Sequence, residues 1–528
     1  MVSERYDYIV IGSGSAGGVV ATRLSEDPAI SVLLLEAGPM DDDDMIHLPA
    51  GFSSLFRTKW DWSYRTTPQK QLGGRRADWP RMKGLGGCSS MNAMIYIRGN
   101  AADYDEWRDV HGGEGWGYDD VLPYFKRAEG NQRLGAPFHG TDGPLHVEDR
   151  RYTHEMSHAF VESAVAAGLK RTDDFNGPET SSTGQEGAGL YQVTCRKGRR
   201  WSVADAYIRP AMSRPNLTVR TEAMVHRIEI EGGRATGVTY HRHGVTETVT
   251  ADAEIVLSGG ALNSPQLLML SGIGPGAHLR EHGIDVLVDS PEVGRNLQDH
   301  PVSGALFDTQ GTTDVAEQLT TGNLLKAQML GRGPLSSNIA ESGAFFRSRD
   351  DLDAPDLQLH VVPAAFWDNG LHETTKRGLT IAPTVVRVES AGALTLRSAD
   401  PTWHPEIDPA YYSEPADLDA MLAGYRRVLE IASDGPIAKF IAQPWAPRSM
   451  NPTDDEILAV ITRIGQTLYH PVGTCSMGKV VDAQLRVQGV EGLRVADASV
   501  MPRVPRGNTN APTIMVGEKA ADLLKESR

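Results

Sequence analysis

One glycine-rich turn near the amino terminus limits most strictly what this chain can fold into. The apolar run Tyr8-Ile9-Val10-Ile11 leads directly into Gly12-Ser13-Gly14-Ser15-Ala16-Gly17, and a second apolar run, Val32-Leu33-Leu34-Leu35, ends on Glu36. An amphipathic stretch lies between the two runs, so the order is strand, glycine turn, helix, strand and acid. A G-x-G-x-x-G turn in that setting is typical of a Rossmann-type unit that binds a dinucleotide. The turn alone does not distinguish FAD from NAD.

The residues of this turn have separate physical tasks. Gly12 permits the tight turn, Gly14 lets the backbone approach a pyrophosphate, and Gly17 lets the helix pack on the strand. The amino terminus of the helix offers free N–H groups and a partial positive charge to that pyrophosphate. Glu36 is placed to accept hydrogen bonds from the adenosine ribose, and its charge disfavours a 2′-phosphate. We therefore expect cofactor contacts at Gly12, Gly14, Ser15, Ala16, Gly17, Glu36 and Ala37.

Composition excludes several kinds of partner. The net charge of −16 argues against a polyanion such as nucleic acid. The three cysteines, Cys88, Cys195 and Cys475, show no metal-like spacing and suit a reducing cytosol. No run approaches the ~18 apolar residues of a membrane span, and residues 1–20 lack the basic segment of a signal peptide. We expect a cytoplasmic protein, monomeric or homodimeric, with no integral membrane span.

The rest of the chain predicts two domains that differ in the type and order of their secondary structure. The β runs between 217 and 257 end in Ser258-Gly259-Gly260 and a helix, so the nucleotide domain resumes there. After residue 306 the pattern changes to strands at 357–362, 379–388 and 394–397. Amphipathic helices follow at 416–433 and 453–465. The fold class is therefore α/β, or α+β overall, with a Rossmann-type domain and a substrate-binding domain built on an antiparallel sheet flanked by helices. The predicted boundaries are 1–150, 191–305 and 466–528 for the first domain, and 151–190 and 306–465 for the second.

Weaker predictions come from local patterns. Residues 69–117 read as a long ordered loop, 199–213 as a helix, and Asp41-Asp42-Asp43-Asp44 as a solvated loop. His154-Glu155-Met156-Ser157-His158 fits the H-E-x-x-H pattern of a helical zinc site, but no third ligand follows at the expected spacing. Thr153 suits the N-cap of that helix, which would place the pair on its exposed first turns. We therefore predict no metal site.

Several blocks, taken together and in order, resemble the glucose–methanol–choline (GMC) flavin oxidoreductase family. The run from Lys83 to Asn92 is similar to the family's first signature, a loop along the flavin, and the run from Gly260 to Gly274 is similar to the second. Further family-like runs are 293–300, 469–474, 493–497 and 508–513. The resemblance extends from one end of the chain to the other, and it implies FAD rather than NAD.

By this resemblance the first domain is a Rossmann-type FAD-binding domain. The additional contacts it implies are Gly84, Gly86, Gly87, Ser89, Asn92, Ala93, Met94, Val225, Asp497, Ala498, Asn510, Pro512 and Thr513. In the choline oxidase branch, a histidine just before the asparagine of the first signature is joined covalently to the flavin. Here that position is Met91, so we predict non-covalent FAD. A last helix that begins near Pro512 and points at the flavin, as in the family, would stabilise the reduced, anionic flavin.

The same resemblance assigns the chemistry. His470 matches the family's base position, and a neutral imidazole is available at physiological pH because its ordinary pKa is about 6.5. Asn508 matches the partner position of that base. An amide cannot be a base, but it can hydrogen-bond the alcohol oxygen. Asn510 is the alternative assignment if only the spacing from the block's start is counted. The implied reaction is FAD-dependent oxidation of a primary alcohol to an aldehyde, with the proton passing to His470 and the hydride to flavin N5.

Several alternatives stay open. The resemblance is to the choline dehydrogenase-like branch of the family. For choline, Glu341 and Trp367 are candidates for binding the trimethylammonium head. Neutral aromatic, furanic or aliphatic alcohols are equally compatible with the sequence as substrates. The electron acceptor is O₂ or another acceptor. A hydroxynitrile-lyase-like or a photodecarboxylase-like flavoprotein would use the same fold. The segment 306–345 is the expected loop near the mouth of the site.

Overall fold

Two large β-sheets organise the chain in a computed structural model that describes residues 4–180, 184–371 and 377–527. The first sheet has seven strands, five of them joined by parallel pairing and two added as an antiparallel hairpin. Its spatial order is Leu217–Arg220, Val32–Leu35, Arg5–Ile11, Val245–Leu257, Arg234–Arg242 and Ala223–Glu231, with Leu493–Val495 also paired to Val245–Leu257. The Rossmann-type architecture predicted from the sequence is confirmed.

The glycine turn follows the first strand at the carboxyl edge of the parallel strands. Gly12 has a φ of 98°, and a Cβ there would lie 2.4 Å from the carbonyl oxygen of Ser258. A Cβ at Gly17 would lie 2.0 Å from the carbonyl oxygen of Gly12. Neither position has room for a side chain, so glycine is required for the turn and for the close packing of the helix on the sheet.

The second sheet has eight strands, and all of their pairings are antiparallel. Its strands are Ile441–Ala446, Ala305–Thr309, Gly378–Val385, Leu357–Val362, Ser342–Phe346 and Gly187–Leu190 in spatial order, with Pro301–Val302 and Gln466–Thr467 at one side. The helices Glu155–Ala166 and Pro415–Ser433 pack against it, so the prediction of an antiparallel sheet flanked by helices is confirmed. The strands at 301 and 466 lie just across the predicted domain boundaries.

Short strands and helices fill the connections. The remaining strands are Tyr64–Arg65, Asp78–Trp79, Glu129–Asn131, Leu145–Asp149, Gln192–Val193, Cys195–Arg196, Arg199–Arg200, Ile273–Gly274, Val288–Asp289, Arg295–Leu297, Gly392–Thr395 and Glu406–Asp408. The remaining α-helices are Gly17–Leu24, Asp44–His47, Ala101–Val110, Tyr118–Ala128, Arg209–Ala211, Gly260–Leu270, Gly276–Glu281, Thr321–Leu330, Asp454–Ile464 and Asn510–Glu526. Short 3₁₀ or π segments are Pro49–Leu55, Lys70–Leu72, Gly87–Ser90, Ala204–Ile208, Ala316–Gln318, Pro334–Ser336, Asp368–Gly370, Ala438–Phe440 and Ala498–Val500. None of the helices in the described part of the chain is long and apolar enough to cross a membrane.

The prediction of a continuous loop over 69–117 is wrong, because the segment contains the helix Ala101–Val110. A capping box starts this helix: the Asn100 side chain accepts from the N–H of Ala102, and the Asp103 carboxylate accepts from the N–H of Asn100. Trp107 anchors the helix in the core and donates from its indole N–H to the carbonyl of Arg503. A capped start and a few buried positions are enough where tertiary contacts support a helix.

Two other local predictions need correction. The helix predicted at 199–213 is present at Ala204–Ile208 and Arg209–Ala211, but its start is wrong, because the stretch begins as the strand Arg199–Arg200. Asp41 is buried rather than solvated, and it accepts a hydrogen bond of 2.7 Å from the Arg209 guanidinium. A buried carboxylate needs such a partner, and this one comes from a distant part of the sequence.

Candidate active site

A continuous cavity extends from the glycine turn of the first sheet to His470 beside the second sheet. At one end its wall contains Gly14 and Glu36, and at the other end it contains His470 and Asn508. The amino-terminal turn, the first signature loop and the carboxyl-terminal blocks therefore meet around one space, although they lie far apart in the sequence.

Most of the predicted cofactor residues line this cavity. They are Gly12, Gly14, Ser15, Ala16, Glu36, Ala37, Gly87, Asn92, Ala93, Met94, Val225, Asp497, Ala498, Asn510 and Thr513. Five others lie outside the lining, in the loops and helix starts next to it, namely Gly17, Gly84, Gly86, Ser89 and Pro512. The Ser89 hydroxyl, for example, donates to the carbonyl of Gly86 at 2.7 Å. These five residues support the site without facing it.

The glycine end of the cavity is shaped to hold a diphosphate. A Cβ at Gly87 would lie 2.6 Å from the Cα of Gly14, so two backbone loops approach closely there. The helices that begin at Gly17 and Asn510 both start without a side-chain cap. Uncapped helix amino termini leave N–H groups free for an anionic ligand. This donor set fits the pyrophosphate and the anionic reduced ring of FAD.

Glu36 is held in position at the end of its strand. Its carboxylate accepts from the Ser13 hydroxyl at 2.6 Å and from the Gly38 N–H at 2.8 Å. Burial raises the pKa of Glu36, and these hydrogen bonds act in the opposite direction. The Ser13 N–H donates a third hydrogen bond at 3.1 Å, and since a carboxylate has about four acceptor positions, Glu36 keeps capacity for one ribose hydroxyl.

His470 and Asn508 come together as the sequence predicts. The Nε2 atom of His470 lies 3.4 Å from the Nδ2 atom of Asn508. On the other side of the ring, Nδ1 lies 2.9 Å from Nδ1 of His300, and the two imidazole planes are nearly perpendicular at 89°. The backbone N–H of His470 donates to the Asp299 carboxylate at 2.8 Å. The ring is therefore held between an amide at the cavity wall and a second imidazole behind it.

These contacts assign a tautomer to His470. The Oδ1 atom of Asn508 accepts from the Gln358 amide at 3.3 Å, which turns the Nδ2 group of Asn508 toward His470. An amide nitrogen can only donate, so Nε2 of His470 carries the lone pair. The proton is then on Nδ1 and is donated to His300. This arrangement leaves the basic nitrogen of His470 at the cavity wall.

Burial keeps the imidazoles of this region neutral. It lowers the pKa of His470 well below the ordinary value, and the neighbouring His300, His360 and Arg81 add to that effect. Burial also lowers the pKa of His300 and of His360 to about 3. A charged imidazole is disfavoured in a buried site, so these imidazoles are neutral at physiological pH.

Arg81 is the cation at this end of the cavity. Its guanidinium donates to the carbonyl oxygen of Tyr469 and, at 2.8 Å, to that of Pro80. Arg81 lines the cavity, and its positive charge helps to lower the pKa of the neighbouring His470. Sequence reasoning missed Arg81 because no motif contains it. It also left His300 without a role, although the family-like run 293–300 ends on it.

Other candidate residues take structural roles. Glu341 lies outside the cavity lining, and its carboxylate accepts from the Ser157 hydroxyl at 2.6 Å and from the backbone N–H of His154 at 2.7 Å. Trp367 does line the cavity. In the H-E-x-x-H run, the N-cap is His154 rather than Thr153, and it is buried rather than exposed. Its Nε2 contacts the carbonyl of Thr313, so it is engaged in capping and loop attachment.

The segment 306–345 contributes little of the wall. Only Ile339 and Ala340 among its described residues line the cavity, while its helix Thr321–Leu330 lies outside that lining. The proposal that this segment forms the mouth of the site stays a prediction.

Comparison with known proteins identifies the family. Two sequence profiles described as GMC oxidoreductase match residues 6–302 and 388–517, and the chain belongs to this family of FAD-binding oxidoreductases. The alcohol dehydrogenase (acceptor) of Pseudomonas putida is 42% identical over 532 residues, covering 98% of this chain and 95% of that protein. The mitochondrial choline dehydrogenase of Homo sapiens is 41% identical over 543 residues, covering 99% and 90%. The crystal structure of pyridoxine 4-oxidase from Mesorbium loti is 31% identical, has a TM-score of 0.88 and covers 98% of both chains.

Proposed function

We propose that this protein uses non-covalently bound FAD to oxidise a primary alcohol to an aldehyde. The observation that carries the proposal is the neutral imidazole of His470, whose lone-pair nitrogen lies at the cavity wall beside Asn508. Relatives that are named as alcohol and choline dehydrogenases support this class of reaction. Bound FAD supplies the acceptor for the hydride that leaves the alcohol carbon.

His470 and Asn508 divide the work on the hydroxyl group. Nε2 of His470 accepts the hydroxyl proton as the C–H bond breaks. The amide of Asn508 has two N–H groups, so one can contact His470 while the other donates to the alcohol oxygen. This second contact orients the alcohol and stabilises the negative charge that develops on its oxygen.

His300 acts through His470 and is a positioning residue. It accepts a hydrogen bond from the Nδ1–H of His470 and so keeps the basic nitrogen directed at the cavity. When His470 takes up the substrate proton, this hydrogen bond also stabilises the imidazolium that forms. Arg81 keeps a positive charge near the reacting oxygen, which favours loss of the hydroxyl proton.

Anaerobic stopped-flow measurement of flavin reduction tests the proposal. His470→Gln is expected to slow reduction by an alcohol about 10²- to 10⁴-fold, the usual contribution of a positioned base. The matched control is His158→Gln, since His158 is exposed on the helix Glu155–Ala166. Both variants should retain FAD by absorbance. A His470→Gln enzyme that reduces its flavin at the wild-type rate would contradict the proposed role.

Further properties of the enzyme stay predictions. The acceptor is O₂ or another electron acceptor, and the measurement that separates them is peroxide release against dye reduction. The monomeric or homodimeric state, the cytoplasmic location and the domain boundaries also stay predictions.

A further inference from the structure

We infer that the substrate is an uncharged primary alcohol with an apolar body, and that the site selects against quaternary ammonium alcohols such as choline. This inference rests on the proposed function and adds the class of substrate to it. The observations that carry it are the composition of the cavity wall around His470 and the sign of the charge there.

The second sheet supplies one side of this wall. Alternate residues of a strand share a face, and the strand residues of this sheet that line the cavity are Val302, His360, Val362, Thr380, Ala382 and Gln466. Apolar side chains outside the sheet also line it, namely Phe52 from the 3₁₀ segment Pro49–Leu55 and Ile339, Ala340, Phe366 and Trp367. His360 is the one titratable group in these two sets, and its burial keeps it neutral. Apart from the neutral polar groups of His360, Thr380 and Gln466, these two sets are apolar.

Among the described residues of the cavity wall, carboxylates lie only at the cofactor end. Among the described residues that line the cavity, the acids are Glu36 and Asp497. Glu36 follows the glycine unit, and Asp497 accepts from the Ser264 hydroxyl at 2.6 Å and from the Gly260 N–H at 2.8 Å. Asp299 is near His470 but outside the lining, and its oxygens accept from the His470 N–H and the Tyr411 hydroxyl. A cationic substrate head would meet no free counter-charge among these groups.

The fixed charge at this end is positive. Arg81 lines the cavity, and its guanidinium is bound to the carbonyl of Tyr469, the residue before the base. A positive charge there favours an alkoxide and repels a quaternary ammonium group. Removing that group from water without a counter-ion is costly in itself.

Aromatic rings do not reverse this balance. Phe52 packs on Phe366 with ring centres 6.2 Å apart, and Trp367 packs edge-to-face on Trp445 at 5.0 Å. Rings that pack on one another present apolar edges and faces suited to an alkyl or aryl body. A cation–π contact with one of them is weaker than the combined effect of desolvation and Arg81.

The test compares two alcohols of the same shape. Choline and 3,3-dimethylbutan-1-ol differ by the replacement of the ammonium nitrogen with carbon. The holoenzyme is mixed anaerobically with each, and with benzyl alcohol, and the second-order rate of flavin reduction is measured. We expect the neutral isostere to react at least ~100-fold faster than choline, a lower bound that follows from the desolvation cost of an unpaired cation.

A matched pair of variants tests the cause. Val362→Glu adds a carboxylate to the sheet face and is expected to lower the preference for the neutral isostere about tenfold or more, because it supplies the missing counter-charge. Val362→Gln has nearly the same shape without the charge and should keep the wild-type preference. FAD content and thermal unfolding show whether each variant is folded.

The outcomes are distinguishable. Choline reacting as fast as its isostere, or faster, overturns the inference and leaves alcohol oxidation intact. Equal preferences in the two Val362 variants would show that charge at the wall does not select the substrate, which also overturns it. Absence of flavin reduction by every alcohol contradicts the proposed function itself, and the inference fails with it.

Discussion

Replacing His300 tests whether a buried neighbour determines which nitrogen of His470 is basic. In His300→Leu the Nδ1–H of His470 loses its acceptor at a buried position. An unpaired buried donor costs about 1–3 kcal/mol, and the cost falls on the tautomer whose Nε2 is basic. Since about 1.4 kcal/mol corresponds to a factor of ten, the competent fraction of His470 should fall roughly ten- to a hundredfold.

The assay is the rate of anaerobic flavin reduction at saturating alcohol, measured on enzyme with full FAD content. His300→Leu should be slower by that factor. His300→Asn is the matched variant, because its carbonyl oxygen can take the place of the lost acceptor nitrogen. We expect His300→Asn to regain a large part of the rate, to within about tenfold of the wild type.

Two results would refute the tautomer argument. One is a His300→Leu enzyme that reduces its flavin as fast as the wild type. The other is an equal loss in the leucine and asparagine variants, which would mean that the shape of His300, and not its acceptor nitrogen, matters to His470.

Three further predictions follow from the same site. Asn508→Ala should slow flavin reduction about 10²- to 10³-fold at unchanged FAD content, because the alcohol oxygen loses its donor; a loss below fivefold would favour another residue. Acid-precipitated protein should leave a colourless pellet, since Met91 cannot form the covalent flavin bond of a histidine. Burial lowers the pKa of the His300, His360 and His470 imidazoles in the folded protein, whereas in the unfolded chain their pKa is near the ordinary 6.5. Their contribution to the free energy of unfolding is therefore present above about pH 6.5 and is lost as the pH falls. Each histidine should therefore lower the stability of the folded state below that point, which the melting temperature at pH 7.5 and 5.5 checks against a His300→Leu enzyme with one titrating group fewer.

The parts of the fold that were predictable depend on local pattern. The strand Leu357–Val362 begins and ends where the sequence predicts, because a short run of apolar and β-branched residues defines it. The helix Ala101–Val110 was missed because few of its residues are buried and its start depends on a capping box. The burial of Asp41 was missed because its partner Arg209 is 168 positions away.

The same distinction holds in the site. The proximity of His470 and Asn508 was predictable because each lies in a short block that resembles the family. The contact between His300 and His470 joins residues 170 positions apart, and Arg81 reaches the base through a loop. Tertiary contacts of this kind leave no local periodicity, so only the structure can assign them.

The two sheets divide the properties of the enzyme between them. The first sheet provides Gly12 and Glu36, which in our proposal serve the cofactor and whose close contacts leave little room for change. The second sheet provides the face that contains Val362 and His360, which in our proposal selects the substrate. Burial keeps the imidazoles neutral, and the same burial would make an unpaired cationic substrate costly. A change of substrate class at this site would therefore need a counter-charge on the second sheet, which would alter the environment of His470 at the same time.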